Sequence, residues 1–120
     1  MSAELVSAVN GILTAKISGK LTRVELTALQ KSAAEYIEKQ GEVRFLVITE
    51  NFQGWEKTGD WGDVSFSANY DRFIKKIAIV GEKKWEDLAR LFVAEGFRQF
   101  PIEYFQPLEL ARAQAWVAAT

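Results

Sequence analysis

Carboxylates, lysines and tyrosines are the main reactive side chains of this protein, because its 120 residues include no histidine and no cysteine. That composition removes thiol nucleophiles, disulfides, Cys/His zinc sites and every Ser-His or Cys-His pair. It also removes the side chain best suited to proton transfer at neutral pH. We therefore expect no catalytic centre, no metal site and no cofactor.

Two charged pairs stand on either side of a tryptophan. Lys83 and Lys84 precede Trp85 at the start of a predicted helix, where free N–H groups and the helix dipole favour an anion. Glu86 and Asp87 follow, and neighbouring carboxylates can act as an acid/base pair. Consecutive helical residues point in different directions, so surface charge is the favoured interpretation of the carboxylates. The lysines are favoured as a solvated pair, with an anion site as the alternative.

Aromatic side chains are concentrated in the middle of the chain. They are Phe52, Trp55, Trp61, Phe66 and Tyr70. They could line a pocket for a flat or acyl ligand, because ligand pockets are mostly apolar with few polar groups. The favoured interpretation is that they cover the open side of a small sheet, since such residues are usually buried for packing. Together with Lys83 and Lys84 they form the candidate ligand or partner surface.

Composition and charge describe one globular domain over residues 1–120, with 48% hydrophobic and 26% charged residues. Lys and Arg total 15 against 16 Asp and Glu, and the two signs are interspersed. That distribution disfavours binding to nucleic acid or to an anionic membrane. No segment approaches the ~20 apolar residues that span a bilayer, and the N-terminus lacks a signal-peptide pattern. We expect a cytoplasmic protein.

The N-terminal third predicts a hairpin and then a capped helix. Asn10-Gly11 lies between the β-like runs Leu5–Val9 and Ile12–Ser18, and a type I′ turn needs positive φ at both central residues. Thr22–Glu25 matches a capping box at the start of the helix. Gly41 lies where a helix-ending glycine in the αL conformation is expected.

Two apolar runs, Val43–Thr49 and Ile74–Val80, each precede a glycine-containing turn, as parallel strands of a βαβ array do. The first leads into a loop at Asn51–Trp55 (NFQGW), within a turn-rich connection over 50–60. The second leads into Gly81–Trp85 (GEKKW). Both runs are apolar at odd and even positions, so we expect both faces of the central sheet to be covered.

Three helices and one strand complete the predicted elements. A less regular helix spans about 61–72, another spans about 83–95 and ends at Gly96, a strand covers Ile102–Phe105, and the last helix begins at Pro107. The inward-facing residues predicted for the helix over 83–95 are Trp85, Leu88, Ala89 and Phe92. Those predicted for the last helix are Leu108, Ala111, Ala115 and Trp116.

This order of elements, with VRFLVITENFQGW and KKIAIVGEKKWEDLARLF at their observed spacing, resembles the SpoIIAA-like (STAS-like) proteins over about residues 5–118. The resemblance is closest to their small stand-alone bacterial branch. It implies an α/β superhelix with a mixed sheet of about five strands, antiparallel only at the hairpin, and about four helices. Phe45–Ile48 and Ile77–Val80 would be central parallel neighbours. The CRAL-TRIO lipid-transfer domain shares this superhelical core.

One feature of the better-known relatives is missing. Anti-sigma-factor antagonists of the family carry a phosphorylatable serine in an Asp-Ser-Ser/Thr-Gly motif. Here the corresponding region, Gln53–Asp60, has Thr58 as its only hydroxyl, so the phosphorylation switch is not carried over. We predict a non-enzymatic binding module for an unidentified protein partner. The alternatives are a CRAL-TRIO-like carrier of a small lipid or other apolar ligand and, more weakly, a histidine-free enzyme.

Self-association is a further hypothesis. Sequential right-handed β-α units tend to place their helices on one face of the sheet, so the other apolar face needs a cover. The segment over 51–73, an apolar ligand or a second copy could supply it. An apolar patch left on that segment would predict a homodimer built around Phe52, Trp55, Trp61 or Phe66.

Overall fold

A computed structural model of the chain describes residues 3–57, 61, 65–94 and 98–119. Their strands form one five-stranded sheet in sequential order. The strands are β1 (Ala3–Val9), β2 (Ile12–Leu21), β3 (Val43–Trp55), β4 (Ile74–Val80) and β5 (Ile102–Phe105). β1 and β2 pair antiparallel and the other neighbours pair parallel, with Phe45 opposite Ile77 and Ile48 opposite Val80. The predicted mixed sheet and its central parallel pair are therefore confirmed.

In the described residues four α-helices connect or follow these strands, as predicted. They are α1 (Arg23–Gln40), α2 (Ser65–Tyr70), α3 (Glu86–Phe92) and α4 (Leu110–Ala118). Short 3₁₀ turns at 71–73, 83–85 and 107–109 follow α2 and open α3 and α4. The second and third helices are shorter than the predicted ranges of about 61–72 and 83–95, because Trp61 lies in a turn and α3 gives way to a turn at Val93 and Ala94. Residues 62–64 and 95–97 lie outside the described residues. None of the helices in the described ranges is both long and apolar enough to cross a membrane.

The predicted turn and cap geometry is largely confirmed. Asn10 and Gly11 have φ of 54° and 77°. The Thr22 hydroxyl oxygen accepts a hydrogen bond from the backbone N–H of Glu25 at 3.2 Å. Gly41 ends α1 with a φ of 85°, but its ψ of −128° is not the αL conformation. The αL prediction is wrong because the chain turns directly into β3, which begins two residues later.

The NFQGW segment is the end of a strand and not a loop. β3 runs on through Asn51–Trp55 because β2 continues beside it as far as Leu21. Gly19 pairs with Phe52 and Leu21 with Trp55, with register shifts around Gly19. Asn51 adopts a φ of 50° within this irregular stretch. The prediction of a loop from residue 50 is therefore wrong, although residues 58–60 of that connection lie outside the described residues.

Helices cover both faces of the sheet. On one face, Ala33 and Ile37 of α1 pack with a core that includes Leu13, Ile77 and Ile79. The core on the other face includes Leu46, Ala78, Val80, Phe105, Ala113 and Val117. The last two belong to α4, so the expectation of helices on one face only is wrong. α4, and not the segment over 51–73, an apolar ligand or a second copy, therefore supplies the cover of this face.

The inward face of α4 also differs from the predicted one. Ala113 and Val117 are buried and Trp116 is half-buried, whereas Leu108, Ala111 and Ala115 are exposed. The α-helix begins only at Leu110, because residues 107–109 form a 3₁₀ turn. A 3₁₀ turn has fewer residues per turn than an α-helix, so a face counted from Leu108 at α-helical spacing does not continue into α4.

Two cations from the sheet hold the carboxyl end of α4. Lys76 Nζ donates hydrogen bonds to the backbone oxygens of Trp116 at 2.8 Å and Ala119 at 2.9 Å. Arg44 Nη1 donates to those of Val117 at 2.9 Å and Ala119 at 2.6 Å. The ammonium of Lys76 also lies 4.7 Å from the centroid of the Trp116 ring. Cations at a helix C-terminus satisfy its free carbonyls and oppose its dipole.

Replacing Lys76 should therefore loosen α4. We expect Lys76→Ala to lower the free energy of unfolding by about 1–2 kcal/mol, because it removes two charge-assisted hydrogen bonds and a cation–π contact. Lys75→Ala is the matched control, since within the described residues Lys75 makes an exposed ion pair with Glu42 at 3.6 Å, and such pairs contribute about 0–1 kcal/mol. Urea unfolding of both variants gives the comparison. Equal effects would show that the contacts of Lys76 do not hold the helix.

Candidate functional site

An aromatic cluster lies at the carboxyl ends of β2 and β3. Its members are Phe52, Trp55, Trp61, Trp85 and Phe92. The ring centroids of Phe52 lie 5.0 Å from Trp55 and 5.1 Å from Trp85. Phe92 extends the cluster, with centroids 5.2 Å from Trp55 and 5.5 Å from Trp61. Ligands of open α/β sheets bind outside the carboxyl ends of the strands, which makes this edge the candidate site.

Gly54 brings the two sequence motifs together. Its φ is 95°, and a Cβ placed on it would lie 3.3 Å from Cη2 of the Trp85 ring. The indole of GEKKW therefore lies directly against the glycine of NFQGW. A side chain at residue 54 would push that indole away and would also need a strained backbone conformation. The NFQGW and GEKKW motifs are one structural unit.

The aromatic residues predicted to form one pocket lie in two separate parts of the structure. Phe66 and Tyr70 do not join the aromatic cluster; their rings lie 5.1 Å apart and pack against the main core beside α1. The Tyr70 hydroxyl donates a hydrogen bond to Glu38 Oε2 at 2.7 Å. An open cleft of about 510 Å³ lies here. Its lining residues are Ile37, Glu38, Gly41, Asn69, Tyr70, Arg72 and Phe73.

The predicted homodimer residues differ in exposure. Phe52 is 7% exposed and packs with Leu21 inside the chain, so it cannot form a contact surface by itself. Phe66 is half-buried against the main core. Trp55 and Trp61 keep part of their surface open. The homodimer stays a prediction, which would have to use these more exposed members.

The three indoles of the aromatic cluster differ in hydrogen bonding. Trp61 Nε1 donates to the backbone oxygen of Glu56 at 3.0 Å. The Nε1 atoms of Trp55 and Trp85 are buried, and neither has an acceptor among the described residues. Buried indole N–H groups usually find a partner. Ring packing is therefore what holds these two tryptophans in place in the described part of the chain.

The two lysines of the candidate surface have different surroundings. Lys83 Nζ donates to Glu86 Oε1 at 2.7 Å, and Arg90 Nε donates to Glu86 Oε2 at 2.9 Å. These hydrogen bonds hold the pKa of Glu86 below its usual range, so this carboxylate is ionised at neutral pH. Lys84 Nζ lies 5.7 Å from the centroid of the Trp85 ring. No group of carboxylates with metal-binding geometry occurs within residues 3–57, 61, 65–94 and 98–119.

Helix α3 turns its large apolar side chains outward. Leu88 is 50%, Leu91 75% and Phe92 36% exposed, and these three residues define the α3 outer face. The prediction that Leu88 faces inward is therefore wrong. Phe92 is covered in part by Trp55 and Trp61, and Trp85 and Ala89 are half-buried as expected. The contact of Trp85 with Gly54 ties the turn that opens α3 to the end of β3 and so limits the rotation of the helix.

A tyrosine that sequence reasoning did not single out lies at the same edge. The hydroxyl of Tyr104 donates a hydrogen bond to the backbone oxygen of Glu82 at 2.7 Å. A Cβ on Gly81 would lie 2.5 Å from this hydroxyl and 2.6 Å from Oγ1 of Thr49, so the glycine makes room for both. Burial, with smaller contributions from Glu86 and Glu82, raises the pKa of Tyr104 to about 12. Tyr104 therefore stays protonated as a donor at neutral pH.

Comparison with known proteins identifies the fold and the family. The sequence model of the SpoIIAA-like family matches residues 12–118. Among solved structures, the chain is similar to the crystal structure of an uncharacterized DUF3478-family protein with a SpoIIAA-like fold from Shewanella loihica. That likeness has a TM-score of 0.71 and 18% sequence identity, and it covers 97% of this chain and 92% of the other. No curated protein matches the chain.

The Gly54 contact predicts a specific response to a methyl group. We expect Gly54→Ala to lower the free energy of unfolding by about 1–3 kcal/mol through backbone strain, and to shift tryptophan fluorescence as Trp85 moves. Gly41→Ala is the control, because Gly41 also has positive φ but a Cβ there would meet nothing within 4 Å. Urea unfolding measures the destabilisation caused by backbone strain in both variants, and the emission spectra report whether the Trp85 indole has moved. Unchanged emission in Gly54→Ala would contradict the close contact.

The raised pKa of Tyr104 predicts a loss of stability at high pH. The native state favours the protonated phenol of Tyr104, which therefore contributes to the free energy of unfolding. This contribution is complete below pH 10, the pKa of the unfolded chain, and falls as the pH rises toward the native pKa of about 12. The free energy of unfolding should therefore fall less steeply between these two pH values in Tyr104→Phe than in the wild type. Urea unfolding at several pH values measures this difference. The difference in phenolate absorbance between the wild type and Tyr104→Phe, followed as a function of pH, should have its midpoint near pH 12. A midpoint near 10 would show that the hydroxyl is not buried.

Proposed function

The chain belongs to the SpoIIAA-like family, and from this premise we propose that it is a non-enzymatic interaction module that binds a protein partner at the carboxyl end of its sheet. The α3 outer face and the neighbouring aromatic cluster form the binding surface. Phe52 supports this surface from inside, while Trp55, Trp61 and Phe92 contribute to it directly. Tyr104 and Glu86, which are fixed in hydrogen bonds, help to hold the edge of the sheet in shape.

The orientation of α3 is the observation that carries this proposal. The side chains of Glu86 and Arg90 are only 19% and 26% exposed, yet Leu88 and Leu91 are 50% and 75% exposed. A surface helix normally presents its apolar stripe to the core and its charges to water. Leaving two leucines in water forfeits burial worth up to roughly 1.5–3 kcal/mol for each. Contiguous exposed apolar side chains of this kind mark contact sites.

Binding would not depend on phosphorylation at the position used by the anti-sigma-factor antagonists. The sequence from Gln53 to Asp60 lacks their serine motif, and Thr58 lies outside the described residues. We infer a module whose surface is available without modification at this place. We also infer a cytoplasmic location and no role in nucleic-acid binding, which the net charge of −1 supports.

A carrier of a small lipid or other apolar ligand is the second candidate. The cleft beside α1 and α2 supports it, because its volume of about 510 Å³ falls in the range of ligand pockets. Tyr70 and Phe73 contribute aromatic surface to this cleft and Arg72 contributes a positive charge. Native mass spectrometry of freshly purified protein discriminates the two functions. A copurifying apolar molecule would favour the carrier.

A matched pair of leucine variants tests the interaction module. We expect Leu91→Glu to reduce at least about tenfold the recovery of a partner from cells that produce the protein, because it places a charge in the contact surface. Leu108→Glu should leave recovery unchanged, since Leu108 is fully exposed but belongs to the 3₁₀ turn before α4 and not to the α3 outer face. Quantitative mass spectrometry after affinity purification provides the measurement.

Circular dichroism and thermal melts should show that both variants fold. Equal recovery of every partner by wild type and Leu91→Glu would contradict the proposed surface. The proposed surface would also be contradicted if affinity purification recovered no protein above the level of a purification without the wild-type chain.

A further inference from the structure

We propose that Glu56 is a positioning residue for the binding surface: its hydrogen bond to the N-terminus of α1 keeps Trp61 in the aromatic cluster. This inference rests on the proposed interaction module, because it explains how one partly exposed member of that surface is held in place. Glu56 itself contributes no ring to the cluster and acts through Trp61.

Glu56 is the first residue after β3, and three of its polar groups form hydrogen bonds. Its backbone N–H donates to the backbone oxygen of Leu21 at 2.9 Å, which holds it to the end of β2. Its side-chain Oε1 accepts from the backbone N–H of Arg23, the first residue of α1, at 2.6 Å. Its backbone oxygen accepts from Trp61 Nε1 at 3.0 Å. One residue therefore joins β2, β3, α1 and an indole of the cluster.

The hydrogen bond from α1 to the carboxylate restricts the direction of the Glu56 carbonyl. Hydrogen bonds to an ionised acceptor are stronger than neutral ones, and a carboxylate at a helix N-terminus also meets the positive end of the helix dipole. Glu56 is half-buried, which strengthens the contact further. With its N–H and its carboxylate both held, the residue keeps its carbonyl directed at Trp61 Nε1.

α1 has a cap of its own and does not need Glu56 in order to form. The Thr22 hydroxyl oxygen accepts from the N–H of Glu25, and the hydroxyl donates to Glu25 Oε1 at 2.8 Å. The Glu56 carboxylate accepts from a different donor, the N–H of Arg23. Loss of the Glu56 bond should therefore release Trp61 while the capping box still begins the helix.

Trp61 connects this bond to the binding surface. Its ring lies 5.5 Å from that of Phe92 between centroids, and it packs beside the buried residues Leu21 and Phe52. Phe92 belongs to the α3 outer face, so a displaced Trp61 would uncover one side of Phe92. The position of Glu56 thereby affects the apolar surface that a partner would meet.

Two substitutions remove the bond from opposite sides. Glu56→Ala removes the acceptor. Arg23→Pro removes the donor, because proline has no backbone N–H, and proline suits the first position of a helix. Thr22 has a φ of −102° and a ψ of 157°, the extended conformation that a residue before proline adopts. Glu56→Gln, which keeps an acceptor, and Arg23→Ala, which keeps the donor, are the matched controls.

Fluorine NMR of the full chain labelled with 5-fluorotryptophan follows its four tryptophans separately. Trp61→Phe and Trp116→Phe identify the two resonances that matter. We expect Glu56→Ala and Arg23→Pro to shift the Trp61 resonance most of the way to its position in urea, and both controls to leave it in place. The resonance of Trp116, which packs on the other face of the sheet, should stay in place in every variant.

Recovery of a cellular partner tests the connection to function. In the affinity purification used for Leu91→Glu, we expect Glu56→Ala and Arg23→Pro each to reduce recovery at least about threefold, because a displaced ring no longer contributes to the contact. Glu56→Gln and Arg23→Ala should retain the wild-type recovery. Rescue by these two variants would separate positioning through the hydrogen bond from an effect of charge or of the arginine side chain.

Two results of the fluorine spectra would overturn the inference. A Trp61 resonance that stays in place in Glu56→Ala or Arg23→Pro would show that packing alone holds the indole. A Trp116 resonance that moves as well would show an effect on the whole fold. Unchanged recovery despite a displaced Trp61 would also overturn it, since the bond would not shape the binding surface. If the wild type recovers no partner, the interaction module fails, while the Trp61 resonance still decides whether Glu56 positions the ring.

Discussion

The contact between Gly54 and the indole of Trp85 is the constraint on which the candidate surface depends. At this point the end of β3 comes within van der Waals distance of the turn that opens α3. With the tryptophan seated there, the Glu86–Arg90 ion pair is half-buried and Leu88 and Leu91 are left outside. One glycine without a side chain thus limits the rotation of a helix and so influences the surface that the helix presents.

The rest of the fold makes this edge firm. β2 and β3 extend past the other strands, and the paired residues Leu21 and Trp55 carry the aromatic cluster. On the opposite face of the sheet, α4 is held through its backbone oxygens by Arg44 and Lys76 and needs no ligand or second subunit to cover the apolar strands. The exposed leucines of α3 are therefore not part of an uncovered face of the sheet. Because α4 already covers the second face of the sheet, the exposed leucines of α3 are better explained as a contact surface for a partner than as part of a core that a ligand or second subunit must cover.

The sequence predicted the elements better than it predicted the directions in which their side chains point. Apolar runs, Asn10-Gly11 and Thr22 identified the mixed sheet, the hairpin and the first helix, because these signals are local. The extension of β3 through NFQGW was missed, since it depends on pairing with β2, which is distant in sequence. The faces of α3 and α4 were wrong because 3₁₀ turns at 83–85 and 107–109 shift the helical phase. Of the five aromatic residues predicted to lie together, Phe52, Trp55 and Trp61 do so and Phe66 and Tyr70 do not. Trp85 and Phe92 join the cluster because the chain returns to the same edge of the sheet.

The outward orientation of α3 is the central claim, and the absence of cysteine makes it directly measurable. Single variants Leu91→Cys and Ala113→Cys can be labelled with a thiol reagent under native conditions and after unfolding in urea. We expect Leu91→Cys to react in the native protein at nearly its unfolded rate, and Ala113→Cys to react at least about a hundredfold more slowly, because its exposure requires opening of the core. Protection of Leu91→Cys equal to that of Ala113→Cys would contradict the account.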